Sequence, residues 1–234
     1  MVSLFNSKSR APTAKADPMT LAYDLYWSFR SPYSYLITGR LLKLEQDYDV
    51  VGNIRPVYPL AVRTPEFFEA QDPLWFRYFA FDINREAGFL GLPFRWPSPD
   101  PVQMDFATRT YPKEQPHIHR LTRLGVAAAE RGRGLPMLAE VSHLIWSGTV
   151  DNWHEGDHIA RATEAAGLDP TEIARAVDQE AERLHEIIEA NQIAQREAGH
   201  YGVPMLSFNK EPFFGQDRYD QFRWRLEQQG LKPR

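Results

Sequence analysis

No cysteine occurs among the 234 residues, and that absence removes most sulfur chemistry from the chain. No disulfide, thiolate nucleophile, cysteine–zinc site or CxxC redox pair can form, so any sulfur chemistry must use a thiol brought in from outside. Long apolar runs are missing too. No window approaches the ~18 consecutive apolar residues of a membrane span, and no membrane partner is expected. Positive charge is not in excess, with 27 Lys+Arg against 31 Asp+Glu and a formal net charge of −4. That balance gives no attraction to a phosphate backbone, so nucleic acid is not an expected partner. What remains is 43% hydrophobic and 25% charged residues, the values of an ordinary globular chain. Its length suits one large domain, or a core domain carrying a big insertion.

Residues 1–20 are small, polar and lightly basic, with Lys8, Arg10 and Lys15 against Asp17. The apolar run Val2 to Phe5 is too short for the core of a secretory signal. A flexible tail is expected there, on a protein of cytoplasmic location. From Leu21 to Trp27 the aromatic and aliphatic residues suit a buried strand. Tyr33, Ile37, Leu41 and Leu44 then recur at helical spacing from Pro32 to about Gln46. Ile54 to Leu60 reads as a second strand, pushed towards a sheet edge by Pro56 and Pro59. Such a strand–helix–strand opening packs as a parallel crossover. Residues 65–92 are aromatic-rich and helical in pattern, and Pro93 to Pro101 is too proline-dense for regular structure. Helices are expected over about 113–131, 136–147, 155–166 and 170–198, the last with a stripe at Val177, Ala181, Leu184 and Ile188. A strand follows over Val203 to Asn209, a turn at Lys210-Glu211-Pro212, and a short strand at Phe213-Phe214. A final helix runs from about Asp217 to Gln229.

Two histidine motifs invite a metal reading and do not earn it. His154-Glu155-Gly156-Asp157-His158 spells the H-E-x-x-H string of zinc proteases, whose chemistry needs both imidazoles on one helical face and a third ligand downstream. Gly156 interrupts the string, a turn precedes it, and neither Glu164 nor His185 stands in a convincing context. His117-x-His119 likewise has no ligand partner placed by spacing, and solvated or capping histidines account for it. No metal is expected.

The informative residues lie far apart. Ser31-Pro32-Tyr33-Ser34-Tyr35-Leu36 opens the first helix, where serine caps free amides and proline fits the first helical position. Capping alone is the commonest role of such a serine. Here, though, the helix follows a buried strand, so its N-terminus also presents unpaired N–H groups to an anion, a thiolate included. Gly202-Val203-Pro204-Met205 opens the late strand. A cis Pro204 would leave the Val203 carbonyl and N–H free to pair with an extended peptide. Phe214-Gly215-Gln216-Asp217-Arg218 opens the last helix, with amides for a carboxylate and Asp217 for an ammonium. Three such stations suit a small zwitterionic peptide carrying a thiol.

Together these segments resemble the DsbA-like branch of the thioredoxin superfamily, in particular the group of 2-hydroxychromene-2-carboxylate isomerases and kappa-class glutathione transferases. The resemblance covers about residues 21–230. It implies an α/β thioredoxin-like fold, β-α-β followed by β-β-α, made by residues 21–64 and 199–234 around an inserted helical domain at 65–198. It implies glutathione as the thiol. Ser31, in place of a redox cysteine, would hydrogen-bond the sulfur as the catalytic residue. Val203 would pair with the cysteinyl backbone beside cis-Pro204, and Gln216 and Asp217 would take the γ-glutamyl end. Tyr33, Arg30 and Arg63 are weaker candidates for the substrate. Arg30 and Met205 depart from the family's pattern, as does the segment after Leu60.

The expected activity is reversible thiolate addition to a small aromatic partner of the 2-hydroxychromene-2-carboxylate type, ending in an isomerised double bond. Conjugation of glutathione to an electrophile is the alternative for the same site. A silent thioredoxin-like binding module is the alternative of another class. Whether the chain is single or a homodimer is left open.

Overall fold

The computed structural model describes residues 20–105 and 110–234. The expected tail, residues 1–20, lies outside the described residues except for Thr20. At the centre is β1 (Leu21–Trp27). It pairs in parallel with β2 (Val50–Pro56), from Leu21 opposite Val50 to Trp27 opposite Pro56. On its other side it pairs antiparallel with β3 (Met205–Phe208), which in turn pairs antiparallel with β4 (Glu211–Phe214). The four-stranded order is β2-β1-β3-β4. A strand covered on both faces reads as a near-continuous apolar run, and β1 does. Tyr23, Leu25 and Trp27 enter the main core, while Tyr26 points into a smaller cluster with Val57 and Met205.

Helix α1 (Pro32–Asp47) buries Leu36, Ile37, Leu41 and Leu44. A two-residue link then returns the chain to the sheet at Val50, so β2 begins four residues earlier than expected. The ladder with β1 ends at Pro56. From Pro59 the chain turns into α2 (Leu60–Arg63), because Pro56 and Pro59 carry no N–H to extend the ladder. The aromatic segment is two helices, α3 (Glu66–Glu69) and α4 (Pro73–Phe89). Asp72 starts the second by accepting the Leu74 N–H at 2.8 Å.

There follow α5 (Pro116–Glu130), α6 (Gly134–Trp146), α7 (His158–Ala165), α8 (Pro170–Gln179) and α9 (Ala181–Glu197). The single helix expected over 170–198 is broken at Glu180, whose φ of −112° and ψ of 25° leave the helical basin. No glycine or proline marks that break. Residues 151–157 are turns, so the H-E-x-x-H string never lies on one helical face. Among the described residues no group of three or more His, Cys, Asp or Glu is placed to hold a metal ion. Nor is any described helix long and apolar enough to cross a membrane.

Strands β3 and β4 are joined by Asn209 and Lys210, with φ of 50° and 68°, the paired left-handed residues of a tight hairpin. The turn therefore precedes Glu211-Pro212, and both of those residues join β4. Proline is tolerated there because β4 is an edge strand. A 3-10 turn, Gln216–Arg218, leads into α10 (Tyr219–Gln228). Its Phe222 is fully buried and packs edge-on against Tyr23 and Phe213, with ring centroids 5.1 and 5.6 Å away. One continuous hydrophobic core runs from Tyr23 and Leu206 of the sheet through Ile118, Val141 and Ile188 of the inserted helices. Phe222→Ala should cost about 3–5 kcal/mol, read as a lower urea midpoint with the slope unchanged.

Candidate functional site

Ser31 sits in extended backbone at the N-terminus of α1, and its Oγ accepts the Ser34 N–H at 3.2 Å. The same hydroxyl donates to the carbonyl oxygen of Val203 at 3.2 Å. The Val203–Pro204 bond is cis, and Gly215 N–H closes on the Pro204 carbonyl at 2.9 Å. Residues 31 and 203 thus meet across 172 positions of sequence. The Val203 carbonyl, expected from sequence to be free, instead accepts from Ser31. The Val203 N–H and the Tyr33 N–H have no partner among the described residues.

Beside this junction opens a cavity of about 1340 Å³. Arg30, Ser31, Tyr33 and Val203 all line it, with aromatic walls that include Phe68, Trp75, Phe79, Trp96, Tyr201 and Phe214. Trp75 and Phe79 stack nearly parallel at 4.9 Å. Tyr33 donates its phenol proton to Asp82 of α4 at 2.6 Å. Burial, and next that carboxylate, hold its pKa well above the ordinary phenol value. Arg30 lies 2.5 Å from Asp100, its guanidinium carbon 5.8 and 6.0 Å from the Trp96 and Trp146 ring centres. His200 stacks on Phe214 at 3.9 Å. Its Nδ1 accepts the Gly202 N–H at 2.9 Å, which leaves Nε2 to carry the proton of the neutral ring.

The remaining candidates are placed elsewhere. Arg63 is withdrawn from the substrate. It donates to Gln195 Oε1 at 3.1 Å and to the Tyr201 carbonyl at 2.9 Å, outside the cavity wall. Burial, with Arg196 nearby, lowers its pKa to about 10. Gln216 is buried, and its side-chain amide is already engaged. It donates to Glu86 at 2.7 Å and accepts from Arg40, which also holds the Gln216 carbonyl at 2.8 Å. Asp217 is exposed and pairs with Arg218 at 2.9 Å. Neither Gln216 nor Asp217 is among the described residues that line the cavity. Asp82, Glu86, Asp100 and Gln195 escape sequence reading, because Tyr33, Gln216, Arg30 and Arg63 are distant in sequence and no spacing links them; His200 escapes because no motif carries it.

A four-stranded mixed sheet, helices inserted after β2 and a helix N-terminus set against a cis-proline define a thioredoxin-like fold of the DsbA-like kind. The sequence matches the family described as DSBA-like thioredoxin domain over residues 23–227, and the chain belongs to that family. No curated protein matches the sequence. Among solved structures, a 2-hydroxychromene-2-carboxylate isomerase superposes with a TM-score of 0.62 at 20% identity, over 89% of this chain and 95% of that one. A probable DsbA oxidoreductase from Streptomyces coelicolor gives 0.62 at 17%, over 89% of each. The cytosolic disulfide reductase DsbM from Pseudomonas aeruginosa, in a structure with GSH, gives 0.58 at 18%, over 89% and 98%. At these identities the likeness is one of fold. The chain has no cysteine, so the redox disulfide of a disulfide oxidoreductase cannot form on it.

Burial holds the His200 imidazole below its ordinary pKa, so the unfolded chain takes up the proton first. The stability this contributes is present above about pH 6.5 and is lost as pH falls towards the lower folded value. His117 and His119 are lowered in the same direction, also mainly by burial. The urea midpoint should therefore drop between pH 7 and pH 5, and drop less steeply in His200→Gln.

Proposed function

We propose that the protein binds glutathione at the junction of Ser31 and Val203 and uses it on an aromatic electrophile held in the adjoining cavity. The observation that carries this reading is the Ser31 hydroxyl, at a helix N-terminus and 3.2 Å from Val203 O, opening onto a large aromatic cavity in a chain without cysteine. The residues fit such a peptide in part. The unpaired Val203 N–H is a donor for an extended backbone. The N-terminus of α1, with the free Tyr33 N–H, favours an anion. The Gln216–Asp217 turn is the proposed station for the γ-glutamyl end, through main chain and the Asp217 carboxylate.

Glutathione, when bound, supplies the thiol nucleophile that this chain lacks. Ser31 orients and stabilises the sulfur by turning its hydroxyl from the Val203 carbonyl towards it. The positive end of α1 favours the thiolate over the thiol, whose free pKa is about 8.5. Val203 fixes the peptide beside the entry to β3, and Phe79, Trp75 and Trp96 exclude water from the electrophile.

Conjugation is the reading this cavity favours over isomerisation. A 2-hydroxychromene-2-carboxylate would bring a carboxylate, and Arg30 is already paired with Asp100 while Arg63 is turned away.

Titration calorimetry with glutathione tests the reading. Binding should be seen at millimolar ligand or below, and a complete absence of heat would favour a silent binding module. Product analysis then separates retained from released glutathione. Ser31→Ala should lose only about 1 kcal/mol of capping stability, while turnover falls by more than tenfold. Equal small losses in both would return Ser31 to a cap alone.

A further inference from the structure

We propose that the Arg30–Asp100 ion pair selects what enters the cavity by charge, admitting uncharged aromatic molecules and turning away aromatic carboxylates. For the reaction this rests on the glutathione reading above; for binding it does not. Among the described lining residues Arg30 is the one arginine or lysine, and Asp100 beside it lines the same cavity. Arg30 Nε lies 2.5 Å from Asp100 Oδ1, with about a quarter to a third of each side chain exposed. Trp96 and Trp146 face the guanidinium and restrict its escape to water. Asp100 is fixed in turn, its Oδ1 accepting the Val102 N–H at 2.9 Å.

An arginine beside a thiol-binding helix terminus invites assignment as an anion receptor, and the pairing argues the reverse. An entering carboxylate would have to share Arg30 with Asp100 or draw it away. Sharing sets two like charges side by side, and drawing Arg30 away leaves a partly exposed carboxylate without its partner among aromatic walls. An uncharged ring has nothing to displace, and the stacked Trp75 and Phe79 offer it a flat apolar wall. Sequence alone cannot reveal this, because Arg30 reads as a free cation until Asp100 is folded against it.

Equilibrium dialysis with 2-naphthol and 2-naphthoate, matched in size and opposed in charge at pH 7, reads the selection directly. The intact protein should bind naphthol at least tenfold more tightly than naphthoate. Asp100→Asn keeps an acceptor for Val102 and Arg30 but removes the countercharge. It should tighten naphthoate at least tenfold and leave naphthol within about threefold. That gain should vanish when Arg30→Gln is added. Arg30→Gln alone provides an arm that does not depend on Asp100→Asn folding. The bare Asp100 carboxylate should then raise affinity for the 2-naphthylmethylammonium cation at least tenfold.

Equal affinity of the intact protein for naphthol and naphthoate would overturn the proposal. So would a folded Asp100→Asn in which naphthoate binding does not move, or an Arg30→Gln in which the cation gains nothing. Glutathione heats measured on the same samples keep the two readings apart. A charge switch without glutathione binding sustains the ion-pair selection and removes the glutathione function. Glutathione binding without a charge switch does the opposite.

Discussion

The hydrogen bond from the Ser31 hydroxyl to the Val203 carbonyl holds together two segments that the chain itself keeps apart. On one side stands the N-terminus of α1, directed by β1 and closed by Ser31's own bond to the Ser34 amide. On the other stands the entry to β3, held by Gly215 on the Pro204 carbonyl and by Gln195 on the Gly202 carbonyl at 2.8 Å. A hydroxyl both donates and accepts, and here both capacities are spent within one small volume. A thiol-bearing peptide would compete for the donated proton alone, leaving the cap in place.

Helix α4 is the second organising element. Asp82 and Glu86 lie one helical turn apart on one face. The first holds the phenol of Tyr33, two residues beyond Ser31, and the second holds the side chain of Gln216. The same helix turns Trp75 and Phe79 into the cavity. Wall and junction are therefore positioned by the same rigid body, and Arg40 completes the link by joining α1 to Gln216.

Much of the fold is legible in the residues. Leu21 to Trp27 is a strand with the expected ends, and the helix from Pro32 begins at its serine cap, because apolar run and cap are local signals. The start of β2 is not local. Seven residues of β1 impose the register that brings Val50 into the sheet, and the valine pair there is too short to stand out alone. The break at Glu180 likewise comes from α8 and α9 each fitting its own apolar residues to the core, with no sequence punctuation. At the site, Ser31, Val203 and Pro204 are visible because short motifs carry them. Arg63 reads from sequence as an available charge, whereas in the fold two of its nitrogens donate to Gln195 and Tyr201. The neutral Gln216 side chain reads as available too, and in the fold Glu86 and Arg40 engage it.

The Trp146 indole N–H, deep in the inserted helices, donates at 2.8 Å to the Phe29 carbonyl, within the turn between β1 and α1. Gly134 packs so closely on Ile54 that a methyl group there would lie 2.8 Å from it, and Gly125 stands nearly as near Pro56. The helical block and the sheet are thus cut to each other's surface like a lock and its housing. A minimal scaffold trimmed to the two sheet segments would bare Phe29 and Ile54 to water. A chimaera carrying a relative's helical block would inherit the wrong contour at β2, so transplanting specificity by exchanging that block requires the β2 face to travel with it.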